Sequence, residues 1–142
     1  MKITRKGSAA WTGGLKDGKG KLSTESGALD GHPYGFATRF EGVKGSNPEE
    51  LIGVAHAGCF TMALSLILGE AGLTATQMDT TAAVTLEKLD SGFEVTGIAL
   101  TLKASIPGTD DATFQELAAK AKANCPISKL MNAPITLTAT LA

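Results

Sequence analysis

Apolar residues recur with two different periods along the chain, and the change from one to the other marks out its elements. In the centre, Leu51, Ile52, Val54, Phe60, Met62, Leu64, Leu66, Ile67 and Leu68 predict one long helix through Ala71. Its start is well marked: Asn47 can cap, Pro48 suits the first helical position, and Glu49 and Glu50 occupy the first turn, where the helix dipole favours acid. Asn47 and Glu50 also have capping-box spacing, and Gly72 is a natural stop. After it, Thr80 to Lys88 and Gly92 to Lys103 alternate with period two around Asp90-Ser91-Gly92, predicting a hairpin. Asp110 to Ala123 has the pattern of a second, amphipathic helix. Ile135, Leu137, Ala139 and Leu141 then alternate in a last strand over Pro134 to Leu141. Before the long helix, Ile3 to Ala10, Gly20 to Ser26 and Tyr34 to Glu41 are strand candidates separated by Gly13-Gly14, Asp17-Gly18 and Asp30-Gly31. In the third, Phe36, Thr38 and Phe40 share one face, so Arg39 points away from the aromatic pair and can simply be solvated. Three strands, helix, two strands, helix, strand predicts an α+β fold with a largely antiparallel sheet.

The long helix carries a further implication. About 24 residues at 1.5 Å each give ~36 Å, so in a globule with a radius of gyration of ~14–15 Å the helix would cross the whole domain. One sheet covers one side of such a helix, and so little of its surface is polar that the rest needs cover; a second copy of the chain is the simplest. No repeat, low-complexity tract or linker divides the sequence, so residues 1–142 are expected to form a single domain. The 43% apolar and 19% charged composition is that of a globular protein, and a net charge of −1 favours neither nucleic acid nor an anionic membrane. Met1 to Trp11 lacks the apolar core of a secretory signal. The apolar stretch around Cys59 to Leu68 is interrupted by His56 and small residues, and falls short of the ~20 residues of a membrane span. A cytoplasmic protein is expected, in which two cysteines are either inert buried thiols or the site of redox or metal chemistry.

Cys59 lies mid-helix, with Ile52, Ala55, His56, Met62 and Ala63 on its side of the helix. Burial among them raises a thiol pKa, so a nucleophilic Cys59 needs a cation or donor nearby, either His56 one turn back or a basic residue from elsewhere. Cys125 precedes Pro126 and so can cap a short helical turn through Leu130, which would lower its pKa; alternatively it merely ends the preceding helix. Glu49 lies ten residues before Cys59, ~15 Å along the helix, beyond contact within one chain. In two helices packed antiparallel about a two-fold axis near residue 54, however, Glu49 of one meets Cys59 of the other, and Gly53, Ala55, Ala57 and Gly58 would allow the close crossing. Glu49 can equally serve only its own helix start. His56 and Cys59 form an H-x-x-C half site that, with Cys125 and a carboxylate, could hold zinc, although strong zinc patterns supply two close pairs of ligands.

Two stretches, Gly45-Ser46-Asn47-Pro48-Glu49-Glu50-Leu51-Ile52 and Ala55-His56-Ala57-Gly58-Cys59-Phe60, resemble the central signature of the OsmC/Ohr family, and Cys125-Pro126-Ile127-Ser128 resembles its second cysteine motif. Ser23-Thr24-Glu25-Ser26-Gly27, Pro33-Tyr34-Gly35-Phe36 and Arg39-Phe40-Glu41-Gly42 are similar to its osmotically inducible protein C branch in particular. The resemblance runs through essentially the whole chain. It implies a sheet wrapped on a long central helix in an intertwined homodimer, with two sites at the interface and no metal, cofactor or prosthetic group. It also implies a peroxidase acting on organic hydroperoxides and, less selectively, on hydrogen peroxide. By the same resemblance, Cys59 is the peroxidatic thiolate, Cys125 the resolving thiol, and Arg39 and Glu49 the pair that activates Cys59. A dithiol, such as a lipoylated protein, would be the reductant. The alternative is a non-catalytic binder of small hydrophobic ligands with unreactive cysteines.

Overall fold

The computed structural model describes residues 1–142, and its contacts divide the chain into two units, 1–48 and 49–142. The first unit holds β1 (Gly7–Thr12), β2 (Lys19–Thr24) and β3 (His32–Tyr34), paired antiparallel in the order β1-β2-β3. The predicted third strand is mostly a helix. β3 ends at Tyr34, and Phe36–Phe40 form a short helix, α1. The physical reason lies at Thr38, whose hydroxyl accepts from the Gly35 N–H at 3.0 Å and donates to the Ser46 carbonyl at 2.9 Å. This turns the chain where the alternation of aromatic and polar residues suggested extension. Residues 36 and 40 then become neighbours one turn apart, and the Phe36 and Phe40 ring centroids lie 5.0 Å from each other. Arg39 is exposed, yet it does not point away from the aromatic pair: its guanidinium carbon lies 5.3 Å from the Phe40 ring centroid.

The second unit is built on α2 (Pro48–Glu70). The helix ends as its glycine predicted. Gly72 takes φ +73°, the Leu73 N–H returns to the Leu68 carbonyl at 2.8 Å, and the Gly72 N–H returns to that of Gly69 at 3.0 Å, which together form a Schellman motif. Against α2 lies a three-stranded sheet of β4 (Gln77–Leu89), β5 (Gly92–Ser105) and β6 (Ile135–Leu141). β4 and β5 are an antiparallel hairpin, in register from Gln77↔Ser105 to Leu89↔Gly92, with one shift between Thr85 and Leu86. β6 runs parallel to β5, from Ile98↔Ile135 to Ala104↔Leu141. A parallel neighbour needs a crossover, and α3 (Asp111–Asn124) with α4 (Pro126–Leu130) supplies it. The sheets are therefore largely antiparallel, with this one parallel pair.

Alternation gives the sheet its buried face. Ile98, Leu100, Leu102 and Ala104 are buried on β5, while Ala99, Thr101 and Lys103 between them are exposed. Leu100, Leu102 and Ala104 join Phe60, Leu64, Ile67 and Leu68 of α2 and Phe114, Ala118 and Ala121 of α3 in one core that includes Cys125. Gly53 lets helix and sheet approach closely: a Cβ there would lie 2.8 Å from the Ala82 carbonyl oxygen of β4. α2 is also long and apolar enough to cross a membrane, with 23 residues and a mean hydropathy of 2.0 over its most apolar window. His56 and the small residues interrupt that run less than the sequence pattern suggested. One face of α2 enters the core, while Val54, Met62 and Leu66 are 70%, 77% and 66% exposed.

Candidate active site

Cys59 and Cys125 are 66 residues apart in the chain, and their sulfurs lie 2.9 Å apart. Both thiols are free. α2 places Cys59 one residue before Phe60 on the edge of its buried face, where the sulfur is half-buried and opens into a cleft of about 770 Å³. Met62, Ala63, Leu66 and Ile67 give this cleft apolar walls, and Glu70 and Lys120 also line it. Cys125 is fully buried and is the residue between α3 and α4, ending one helix and capping the next. Pro126 at the first position of α4 produces this junction, because it can start a helix but not continue one.

Each thiol departs from its ordinary pKa in its own direction. Burial pushes Cys59 up, the neighbouring Cys125 adds to the rise, and the Ile127 N–H opposes it. Burial also acts to raise Cys125, but the Cys59 thiol, the Ser128 N–H and hydroxyl, and the Ile127 N–H together bring it below the ordinary value. The neutral Cys125 thiol closes no capping bond, whereas a thiolate there faces the positive start of α4. Within this unit the surroundings thus favour the charged form of Cys125 more than that of Cys59. The lowering of Cys125 has the direction expected for a helix cap, although the Cys59 thiol contributes more to it than any one group at the start of α4 does. For Cys59, burial does what that reading anticipated, so a peroxidatic role still requires a cation.

His56 is not that cation. The ring is fully buried, and desolvation lowers its pKa, which leaves the imidazole neutral near pH 7. Its Nε2 lies 2.8 Å from Ser128 Oγ, while Nδ1 has no hydrogen-bond partner. No three His, Cys, Asp or Glu side chains are grouped to hold a metal, so the H-x-x-C spacing is not part of a zinc set. Of the side chains expected to flank Cys59, Met62 and Ala63 line its cleft, whereas Ala55 is exposed. Glu49 lies in the first turn of α2, and the helix runs unbroken from there to Cys59, which keeps the two ~15 Å apart within one chain. Arg39 lies in the first unit, on α1. Ser128 is the polar residue to which the sequence reading gave no role. A signal for it was available, since the third residue after a helix cap normally turns its N–H toward the cap side chain.

Residues 41–140 match the OsmC-like protein family. Over 137 residues, 96% of each chain, the protein is 60% identical to Peroxiredoxin OsmC of Escherichia coli strain K12. This chain belongs to the OsmC family. The Ohr proteins are more distant relatives: the organic hydroperoxide resistance protein of Xanthomonas axonopodis pv. citri is 32% identical over 102 residues, 71% of this chain and 70% of that protein. Among solved structures, that of the organic hydroperoxide resistance protein OhrB of Bacillus subtilis superposes with a TM-score of 0.70 at 28% identity, covering 99% of this chain and 98% of that one. The OsmC fold thus extends over the full length of the chain.

Proposed function

We propose that this OsmC protein is a cysteine-based peroxidase that reduces organic hydroperoxides and, less selectively, hydrogen peroxide, with Cys59 as the attacking sulfur and Cys125 as the resolving one. The observation that carries the reading is the 2.9 Å approach of the two sulfurs, one half-buried at an apolar cleft and the other fully buried at a helix start. Its relatives include a protein named a peroxiredoxin and others named for organic hydroperoxide resistance.

The Cys59 thiolate attacks the distal peroxide oxygen and breaks the O–O bond, releasing an alcohol once the leaving oxygen is protonated and leaving a sulfenic acid. The Cys125 thiolate then attacks the Cys59 sulfur and expels hydroxide, which takes up a proton to leave as water, closing a disulfide before further oxidation. A disulfide needs the sulfurs about 2.05 Å apart, so closure from 2.9 Å asks for less than an ångström of movement. A dithiol, such as that of a lipoylated protein, reopens it by exchange. The apolar cleft favours an alkyl hydroperoxide over water.

Because burial raises the pKa of Cys59, its thiolate needs help. Family resemblance assigns that role to Arg39, oriented by Glu49. A guanidinium beside the sulfur would favour its charged form and donate to the peroxide. The exposed apolar side of α2, with Val54, Met62 and Leu66, supports a homodimer in which the partner's helix covers it. Antiparallel pairing there would bring Glu49 of one copy toward Cys59 of the other. A cytoplasmic location is part of the same proposal, because dithiol reductants operate there.

The test is steady-state hydroperoxide consumption with matched dithiol and monothiol reductants. The proposal expects strong turnover with the dithiol and weak turnover with the monothiol. Absence of turnover with either would support instead a passive binder of hydrophobic ligands.

A further inference from the structure

His56 is the buried polar group that the peroxidase reading leaves unused. It is fully buried on α2, one turn before Cys59, and its single hydrogen bond reaches 72 residues along the chain to Ser128, at 2.8 Å from Nε2. Ser128 stands three residues after Cys125, at the position of α4 that faces its cap. His56 thus meets Ser128, which stands three residues beyond Cys125 in the first turn of α4, and Cys125 in turn meets Cys59 at 2.9 Å.

The unpartnered Nδ1 decides which way the protons run. With the ring proton on Nδ1, a buried N–H would be orphaned, and Ser128 would have to spend its one proton on Nε2. With it on Nε2, the orphan is only a lone pair, and the Ser128 proton is left for sulfur. A buried donor without a partner is the rarer state, so Nε2–H is the form the site holds.

We propose that His56 and Ser128 are positioning residues for the resolving sulfur: His56 Nε2–H fixes the Ser128 hydroxyl as a donor to Cys125, so that a reductant thiolate opens the disulfide at Cys59 and expels Cys125. This rests on the Cys59–Cys125 reading above. In the first step the reductant sulfur bonds to Cys59 Sγ, the S–S bond breaks, and its electron pair leaves on Cys125, stabilised by the Ser128 hydroxyl and the start of α4. The reductant's second thiolate then attacks its own bound sulfur, releasing Cys59 thiolate and oxidised dithiol. Two further features agree. Cys125 is fully buried whereas Cys59 opens to the cleft, so access also directs attack to Cys59. The same Ser128 groups are among those that lower the pKa of Cys125, and a thiol of lower pKa leaves faster.

The oxidised full-length protein is treated with cysteamine, a monothiol that stalls at the mixed disulfide. Acid quenching, alkylation and peptide mapping then locate the adduct, and rapid mixing gives the opening rate. The adduct is expected on Cys59. Ser128→Ala and His56→Leu should slow opening by about tenfold, as a poorer leaving thiol requires. Ser128→Thr and His56→Gln, which keep the hydroxyl and a donor near Nε2, should restore most of the rate. An adduct on Cys125, or opening by Ser128→Ala and His56→Leu within about twofold of the unchanged protein, overturns the inference even though the disulfide forms. If hydroperoxide forms no disulfide in the unchanged protein, the peroxidase reading fails and this inference with it.

Discussion

The roles of individual residues separate cleanly by substitution. Cys59→Ser should abolish hydroperoxide consumption, because no other thiol lines the cleft; undiminished consumption would remove Cys59 from the chemistry. Cys125→Ser should oxidise once and then over-oxidise, read by mass spectrometry as sulfinic and sulfonic acid at Cys59. Clean repeated cycling of that variant would end the resolving role. Arg39→Ala should slow Cys59 oxidation by at least about a hundredfold, the scale typical of a lost charge-stabilising donor. Stopped-flow oxidation at an unchanged rate would place the cation elsewhere. His56 gives a pH dependence whose sign follows from its burial. Its folded pKa lies below the ordinary 6.5, so the unfolded chain takes up a proton first as pH falls. Its contribution to stability is complete above about pH 6.5 and is lost as pH drops through the lower folded value. Denaturant midpoints should fall over that range, and less steeply in His56→Gln; equal slopes would contradict the assignment. None of the site's pairings could be read from the sequence by spacing, since the Cys59–Cys125 and His56–Ser128 contacts span 66 and 72 residues. Motif resemblance brought the cysteines together, and Ser128 was overlooked because serine in a helix's first turn is ordinary.

Among the elements, those with strong local punctuation were legible. Pro48, the first-turn acids and Gly72 bracket α2 in the sequence as they do in the structure, and the helix expected from Asp110 to Ala123 runs from Asp111 to Asn124, with Asp110 as its cap through the Thr113 N–H at 2.7 Å. The hairpin followed from its two alternating runs and the turn between them. Phe36–Phe40 did not, because residues 36, 38 and 40 satisfy a strand pattern while 36 and 40 also satisfy a helical one. The Thr38 contact with Ser46 that decides between them comes from outside the segment. The parallel pairing of β5 and β6 was equally invisible, since periodicity shows which face is buried and not which strand lies alongside. The packing of α2 on β4 makes its own prediction. Gly53→Ala should destabilise by about 1–3 kcal/mol, because the added carbon meets a backbone oxygen that cannot rotate away. Chemical denaturation showing no loss would mean that helix and strand can part without cost.

The whole molecule combines a close sulfur pair with an apolar helix face that is left uncovered in one chain. The proposed homodimer would cover that face and give Glu49 a route to a cysteine it cannot reach on its own helix. Met62→Glu should therefore yield monomers in sedimentation and lower peroxidase activity together; a fully active monomer would separate the chemistry from assembly. The central claim, however, concerns the two sulfurs, and the most direct measurement is made on them. Reduced protein is mixed with one equivalent of an organic hydroperoxide, its remaining thiols are counted, and its peptides are mapped. Both thiols per chain should be lost and a peptide pair joined through Cys59 and Cys125 should appear, whereas two thiols still titrating after the hydroperoxide is added would rule out the disulfide chemistry.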